Sequence, residues 1–355
     1  MNPNVTIIII NWNGWKDTLE CLESLYKIDY PHYNVVLVDN HSTDDSVERI
    51  EKYCQGKLKV ESPFFSYDPE NKPLTIFRYS EKDLKDESKI KKDKTEISVL
   101  PSNKKLVVIE NKENLGFSGG NNVGLEYALK NLKTDYILLL NNDTVVDKGF
   151  LREMLKVAVS DDEIGFLGPK TYYYSKKNVI AFAGGLVNMS KGKPHAVGVN
   201  EEDKGQYNRI RDVDYVEGSC LFAKRELLNK IGFFDTKYFA YWEETDLCKR
   251  GSLAGYRAVY VPEARIWHKV SASFDSPVKL YYYTRNKVWF MKKNATGKEY
   301  LSFILYFFGY LFWRRNFDCF YNSLKKRESL DRMKNFSKGA IHGLMYGKKT
   351  LKNEH

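Results

Sequence analysis

Unbroken apolar runs alternate with helically spaced apolar positions through the first 145 residues. Residues 5–10 (VTIIII), 35–38 (VVLV), 106–109 (LVVI) and 136–140 (YILLL) are short and rich in β-branched residues or leucine. Strands of this kind need cover on both faces, as in a parallel sheet flanked by helices. Between them Leu19, Leu22 and Leu25 recur at helical spacing, Asp44 or Asp45 can cap a helix carrying Val47 and Ile50, and residues 121–132 read as a further helix. The alternation predicts an α/β domain built on a mainly parallel sheet.

Residues 54–105 break the rhythm with four prolines, a Lys/Asp/Glu-rich segment over 81–96 and little periodicity. The segment from about 56 to 104 therefore reads as a mobile surface insertion without a catalytic role. After Gly149 the pattern predicts a helix, a short strand at 164–167 and a Gly- and Tyr-rich region to Gly198. An apolar segment at 215–223 leads into a helix near 225–230, and 256–261 reads as another strand.

A 355-residue chain with 43% hydrophobic and 14% aromatic residues can fill a core, which excludes wholesale disorder. No run of 18 apolar residues argues for a membrane span, and residues 5–10 are too short for a signal-peptide core. Five cysteines without a CxxC pair fit free thiols in a reducing compartment, so a cytoplasmic location is expected. The net charge of +10 is uneven: residues 276–355 carry 17 Lys and Arg against 5 Asp and Glu, and the rest of the chain is close to neutral. Within that tail, residues 300–313 (YLSFILYFFGYLFW) are uncharged and contain eight aromatics. At 1.5 Å per residue they make about 21 Å of helix, too short to span a bilayer and suited to lying in the headgroup zone. A peripheral position on the anionic inner face of the cell membrane is expected; nucleic-acid binding is not, because the aromatics cluster away from the charges.

The loops after the four apolar runs are rich in Asn and Asp: Asn11-Trp12-Asn13-Gly14, Asp39-Asn40-His41-Ser42, Asn114 through Asn122, and Asn141-Asn142-Asp143. Strand ends of an open α/β sheet point such loops at a ligand crevice. Asp39 can accept from the imide N–H of a pyrimidine, Gly119 and Gly120 ahead of a helix allow close backbone approach to an anion, and Asp143 can hold a hard divalent cation. Glu243, Glu244 and Asp246 fall within an aromatic segment, YFAYWEETDLCKR, where a partly desolvated carboxylate suits a general base. His268 can complete a metal shell or bond a diphosphate, and Arg285 can contact phosphate.

In this order, IIIINWNG, VVLVDNHSTDDS, ENLGFSGGNNVG, LLLNNDTVV, VEGSCLFAKRELLNKIGFFD, YFAYWEETDLCKR, WHK and YYYTRN resemble the motifs of family 2 glycosyltransferases with the GT-A fold, most closely the rhamnosyltransferase-like branch. KGAIHGLMYGKK resembles the tail of that branch. The resemblance implies a catalytic domain over 1–275, with a nucleotide-binding half to about 145 and an acceptor half from about 146, followed by a basic, aromatic helical extension over 276–355. It places base recognition on Asp39, with Asn11 and Asn13 on the first nucleotide loop and Asn114, Gly120 and Asn122 on the second. The Asp-x-Asp metal motif appears as Asn141-Asn142-Asp143, leaving Asp143 as its one carboxylate, with His268 near the metal and diphosphate. Glu243-Glu244 stands where the family has Glu-Asp, which makes Glu244 the expected base. The implied reaction is an inverting transfer from dTDP-rhamnose or a UDP-sugar to a glycan or lipid-linked acceptor, with Mg²⁺ or Mn²⁺. A sugar-nucleotide nucleotidyltransferase is the alternative enzyme, but residues 11–14 lack its Gly-rich basic phosphate loop. A non-catalytic nucleotide-sugar-binding module is the other, and it conflicts with the joint presence of Asp143, Glu244 and His268.

Overall fold

The computed structural model describes residues 2–270, 276–323 and 328–345. The first half is a sequence of strand and helix units: β1 (Val5–Asn11), α1 (Trp15–Leu25), β2 (Tyr33–Asp39), α2 (Ser46–Cys54), β3 (Thr75–Ser80), α3 (Glu87–Val99), β4 (Lys105–Glu110), α4 (Gly116–Asn131) and β5 (Tyr136–Asn141). The second half holds β6 (Thr144–Val146), α5 (Phe150–Ala158), β7 (Ile164–Tyr173), β8 (Lys176–Phe182), β9 (Gly185–Asn188), β10 (Lys193–Ala196), β11 (Glu201–Glu202), β12 (Arg211–Val213) and β13 (Cys220–Lys224). It continues with α6 (Arg225–Ile231), α7 (Glu243–Leu253) and β14 (Arg257–His268).

β1 sits between β2 and β5 and runs parallel to both, with Asn11 opposite Asp39 and Ile10 opposite Asn141. Because β1 leads through α1 to β2 on one side, while β5 on the other side is entered from β4 through α4, the winding reverses between β1 and β5 and a crevice opens at the carboxyl ends of these strands. β4 and β3 extend the parallel sheet beyond β2. On the other side β13 runs antiparallel between β5 and β7, and β14 pairs with β7, β6 and β12. Alternate residues of β1 enter different cores, which is why its apolar run is unbroken: Ile7 and Ile9 join Leu22 and Met154, while Ile8 joins Leu125 and Leu247.

The segment expected as a mobile insertion is corrected by the structure. It contributes β3 and α3, a strand and crossover helix forming one edge of the sheet, with β3 in register from Thr75 opposite Lys105 to Ser80 opposite Glu110. Phe77 and Tyr79 point inward around exposed Arg78, the alternation of an edge strand. The charged α3 buries Ile97 alone of its residues. The segment is pinned from below by Lys72, whose ammonium lies 3.0 Å from the carboxylate of Glu23 with both side chains buried.

The C-terminal extension comprises α8 (Pro277–Asn294), α9 (Gly297–Tyr306), a π-helical turn (Phe307–Leu311), α10 (Phe312–Ser323) and α11 (Glu328–Met345). It shares a core with the loop before α7: Tyr238 and Trp242 pack with Trp289, Phe290, Phe303, Phe307 and Phe336. Gly339 and Gly343 let α11 approach α8 closely, since a Cβ on either would fall 2.6 Å from Tyr281 O or from Val288 Cβ respectively. The aromatic stretch 300–313 is thus two-faced. Phe303 and Phe307 are buried, whereas Leu301, Leu305, Tyr310 and Trp313 are exposed. The expected boundary at 275 borders residues 271–275, and the end of KGAIHGLMYGKK falls at 346–349; both lie outside the described residues.

Candidate active site

Asn141, Asp143, Glu243, Glu244 and His268 line one cavity of about 500 Å³, together with Tyr215, Glu217, Trp242 and Tyr283. The strand ends set the metal side. Asp143 follows β5 in the turn to β6, and His268 ends β14, which pairs with β6 so that His268 stands opposite Thr144. Their side chains meet at 3.1 Å between His268 Nε2 and Asp143 Oδ1. Burial by itself raises the Asp143 carboxyl, but the hydrogen bond and charge of His268 outweigh it and hold the group below its ordinary value. Burial likewise lowers the His268 imidazole, and Asp143 outweighs that, so the imidazole is raised.

These residues fit a divalent cation. A carboxylate oxygen of Asp143 and an imidazole nitrogen of His268, donor types that divalent cations accept, stand side by side in the cavity lining. His268 Nδ1 is buried without a hydrogen-bond partner among the described residues. No group of three or more His, Cys, Asp and Glu gathers among the described residues, so the remaining ligands would be water and diphosphate oxygens, as Mg²⁺ commonly uses.

The catalytic side is set by the start of α7. The loop ahead of it carries Phe239, Tyr241 and Trp242 at φ of 60°, 71° and 76°, a left-handed conformation that non-glycine residues rarely adopt. That turn delivers Glu243 and Glu244 into the cavity at the helix N-terminus. Burial raises the Glu244 carboxyl to about 7, with Glu217 adding to the rise. Burial and the charge of Glu244 raise Glu243 far above the ordinary range, and its Oε2 is buried without a partner among the described residues. Burial thus raises both carboxyls, Glu244 to about 7, the range in which a carboxylate can take a proton from a substrate hydroxyl.

Other expected site residues take different places. Asp39 is buried at the end of β2 and accepts from Asn11 Nδ2 at 2.8 Å and from Ser42 N at 2.9 Å. Asn13 accepts from Thr43 N at 2.7 Å, tying the first two loops together. Asn114 accepts from Asn40 Nδ2 at 2.8 Å and from Gly116 N at 2.9 Å, fixing the entry to α4. Three expectations are corrected. Gly119 and Gly120 lie inside α4, not ahead of it, and a Cβ on Gly120 would sit 2.2 Å from Ile10 Cδ1, so this glycine serves helix–sheet contact. Asn122 clamps the backbone of Phe234, donating to its carbonyl at 2.9 Å and accepting from its N–H at 3.1 Å. Arg285 donates to the carbonyls of Lys237 at 2.8 Å and Tyr238 at 3.2 Å and does not line the cavity.

Glu217 is the cavity carboxylate that sequence reasoning passed over. It accepts from Ser219 Oγ at 2.7 Å and acts on both Glu244 and His268. Its signal was present, a single acid inside the apolar run YVEGSCLFA.

The family model described as glycosyltransferase-like family 2 matches residues 82–286, and that of glycosyl transferase family 2 matches residues 6–67. The chain is a family 2 glycosyltransferase. Relatives of this glycosyltransferase include the low-salt glycan biosynthesis hexosyltransferase Agl10 of Haloferax volcanii, 24% identical over 56% of the chain and 63% of that protein. The N-acetylglucosaminyl-diphospho-decaprenol L-rhamnosyltransferase of Mycobacterium tuberculosis is 28% identical over 38% of the chain and 47% of that protein. Rhamnosyltransferase WbbL of Escherichia coli is 28% identical over 43% and 60%. The chain thus spans less than two thirds of each of these relatives. Among solved structures, the mannosyltransferase PcManGT of Pyrobaculum calidifontis, in complex with GDP-Man and Mn²⁺, superposes with a TM-score of 0.54 at 16% identity, covering 98% of this chain and 89% of that one. GalNAc-T7 with UDP, GalNAc and Mn²⁺ gives 0.55 at 14% identity, covering 98% and 58%. These neighbours share the GT-A fold with the glycosyltransferase described here. No helix among its described residues is long and apolar enough to cross a membrane.

Proposed function

We propose that this glycosyltransferase moves a sugar, rhamnose from dTDP-rhamnose or a hexose from a UDP-sugar, to a hydroxyl of a glycan or lipid-linked acceptor in cell-surface polysaccharide synthesis, with inversion at the anomeric carbon. The observation that carries the proposal is the single cavity shared by Glu244 and the Asp143–His268 pair. Glu244 takes the proton of the acceptor hydroxyl as that oxygen bonds to C1 of the donor sugar. The C1–O bond to the diphosphate breaks, and its electron pair leaves with the nucleoside diphosphate. Asp143 and His268 would hold the cation, Mg²⁺ or Mn²⁺, which when bound offsets the charge developing on the leaving group. Asn11, Asn13, Asp39, Asn114 and Asn141 border the crevice where the nucleotide would lie. The names of the relatives support a rhamnosyl or hexosyl donor, and the decaprenol-linked substrate in one of them supports a lipid-linked acceptor. Proton NMR of the product tests the mechanism: the anomeric configuration should be opposite to that of the donor, and retention would sink it.

Donor and metal binding should be linked at Asp143. In thermal-shift assays UDP or dTDP with Mn²⁺ at a hundredfold excess over Kd should stabilise the protein by about 2.7 kcal/mol. Asp143→Ala should abolish the Mn²⁺-dependent part. Equal stabilisation of the variant would place the cation elsewhere.

The exposed face of the extension supports peripheral attachment to the inner face of the cell membrane. Leu305, Trp313 and Phe317 are exposed on helices that belong to the basic tail, so apolar contact and attraction to anionic lipid coincide. A Trp313→Ser/Phe317→Ser double variant should lose flotation with phosphatidylglycerol vesicles while keeping its melting temperature. Undiminished flotation would remove this face from the membrane contact.

A further inference from the structure

The first N–H groups of an α-helix have no partner inside it. In α4 each of them finds one elsewhere in the protein. Leu115 N donates to Asn40 Oδ1 at 3.1 Å and Gly116 N to Asn114 Oδ1 at 2.9 Å. Phe117 N and Ser118 N both donate to the carbonyl of Phe239, at 2.8 Å and 3.3 Å. A helix start of this kind would otherwise attract phosphate, and here protein groups fill it.

Those partners belong to two different parts of the site. Asn40 directly follows Asp39 at the end of β2, and its Nδ2 also donates to Asn114 Oδ1 at 2.8 Å and to the carbonyl of Gly116 at 3.2 Å. Phe239 lies in the positive-φ turn that delivers Glu243 and Glu244. The start of α4 is therefore bonded to the nucleotide loops on one side and to the catalytic turn on the other.

Gly116 shapes the second of these joints. Its φ is +70°, and a Cβ on it would fall 2.5, 2.7 and 2.8 Å from Cδ2, Cε2 and Cγ of Phe239. The same ring is stacked on Tyr282, with centroids 5.2 Å apart and planes at 19°, which restricts its retreat. Phe117, capped by Phe239, carries the joint to the base. It lines the cavity, and a Cβ on Gly218 would lie 3.4 Å from Phe117 Cζ and 3.9 Å from Glu244 Cβ, so the two side chains approach each other across Gly218. Further along α4, the Asn122 clamp on Phe234 ties the helix to the chain upstream of the same turn.

We infer that Gly116 and Phe239 are positioning residues: glycine at 116 lets the ring and carbonyl of Phe239 seat on the start of α4, and this joint holds Glu244 in place relative to the donor loops. The inference rests on the transferase reading, in which Glu244 is the base and the nucleotide lies along the loops at Asn11, Asp39 and Asn114.

The test is a double-mutant cycle on the full chain, comprising Gly116→Ala, Phe239→Ala and the two combined. Phe239→Ala removes the ring and keeps the capping carbonyl. Binding is read with UDP or dTDP plus Mn²⁺, and turnover with dTDP-rhamnose or a UDP-hexose, whichever the wild type consumes. Gly116→Ala should lower kcat by about 10²-fold while the Kd of the nucleotide stays within about threefold of wild type. In the Phe239→Ala background the same alanine should cost less than about threefold in kcat, because the ring it displaces is gone. Equal costs in both backgrounds would show that the two residues act independently and would overturn the inference. Weaker nucleotide binding with kcat unmoved would assign Gly116 to the donor and overturn it as well. If Gly116→Ala melts below the assay temperature, recovery of both melting temperature and kcat in the combined variant would support the joint, and failure to recover would overturn it. A wild-type protein that neither binds a nucleotide with Mn²⁺ nor consumes a donor would overturn the transferase reading, whereas wild-type turnover in Gly116→Ala would overturn the joint alone.

Discussion

Replacing Glu244 with Gln is expected to lower kcat by about 10³-fold, within the range a positioned general base supplies, while leaving Mn²⁺-dependent nucleotide stabilisation intact. The amide keeps the shape of the side chain and cannot take the acceptor proton. Wild-type kcat/KM should fall on the acid side with an apparent pKa close to the value of about 7 to which burial and Glu217 raise this carboxyl. Glu217→Gln removes one of the charges that raise it, so the acid limb should move to lower pH. Stability follows the same linkage. A carboxyl raised from 4.5 to about 7 in the folded state favours folding most below pH 4.5, and that contribution is lost as pH rises to about 7. Glu244→Gln should therefore flatten the decline in the urea midpoint between pH 5 and pH 8. Unchanged turnover in Glu244→Gln would reassign the base, with Glu217 next to be tested.

The parallel half of the sheet was legible because its strands are buried on both faces, and burial of that kind writes itself as unbroken apolar runs. β3 was not, because an edge strand needs one apolar face only: Thr75, Phe77 and Tyr79 alternate with Arg78 over six residues, too few to stand out beside prolines and charge. α3 was hidden for a related reason, since a helix that buries little beyond Ile97 carries no apolar stripe. At the other end of the chain, the aromatic density of 300–313 was plain, but composition alone does not divide a helix into faces. The division comes from α8 and α11, which cover Phe303 and Phe307 and leave Leu305 and Trp313 outside.

The chemistry of the site was legible as residue types at strand ends and less so as contacts. Asp143 and His268 are far apart in sequence and become neighbours through the antiparallel pairing of β6 with β14, a long-range event without a local signature. Asn122 and Arg285 illustrate the converse. Both have the right chemistry for a ligand, yet Asn122 bonds the N–H and carbonyl of Phe234, and Arg285 donates to the carbonyls of Lys237 and Tyr238 and to the side chain of Asn286. Gly120 was read as freedom for a ligand to approach, and it is freedom for Ile10.

Asn286→Ala is expected to reduce both stability and turnover, although Asn286 does not line the cavity. Its buried side-chain amide donates to the carbonyls of Tyr238 at 2.9 Å, Ala240 at 2.7 Å and Tyr241 at 2.8 Å. Those carbonyls belong to the turn in which Phe239, Tyr241 and Trp242 hold positive φ, and each such residue costs on the order of 1–2 kcal/mol. One side chain thus offsets much of the strain in the segment that aims Glu243 and Glu244. Removing it takes this donor from the carbonyls of Ala240 and Tyr241 at about 1–3 kcal/mol apiece, while Tyr238 O keeps Arg285 and the Ala240 N–H, so a loss of about 3 kcal/mol and a melting temperature lower by roughly 5–10 °C are expected. A base displaced by about 1 Å costs on the order of 10²-fold in rate, which should appear in kcat more than in KM because the donor side at Asp143 is untouched. Asn286→Asp preserves volume but sets an acceptor against three acceptors, and should be at least as damaging as the alanine. A purely structural role would lower the melting temperature without moving the acid limb of the pH profile. A positioning role predicts that the limb shifts as Glu244 gains solvent, toward the ordinary carboxylate range. Wild-type kcat and an unmoved limb in Asn286→Ala would show that the turn holds its conformation without this residue.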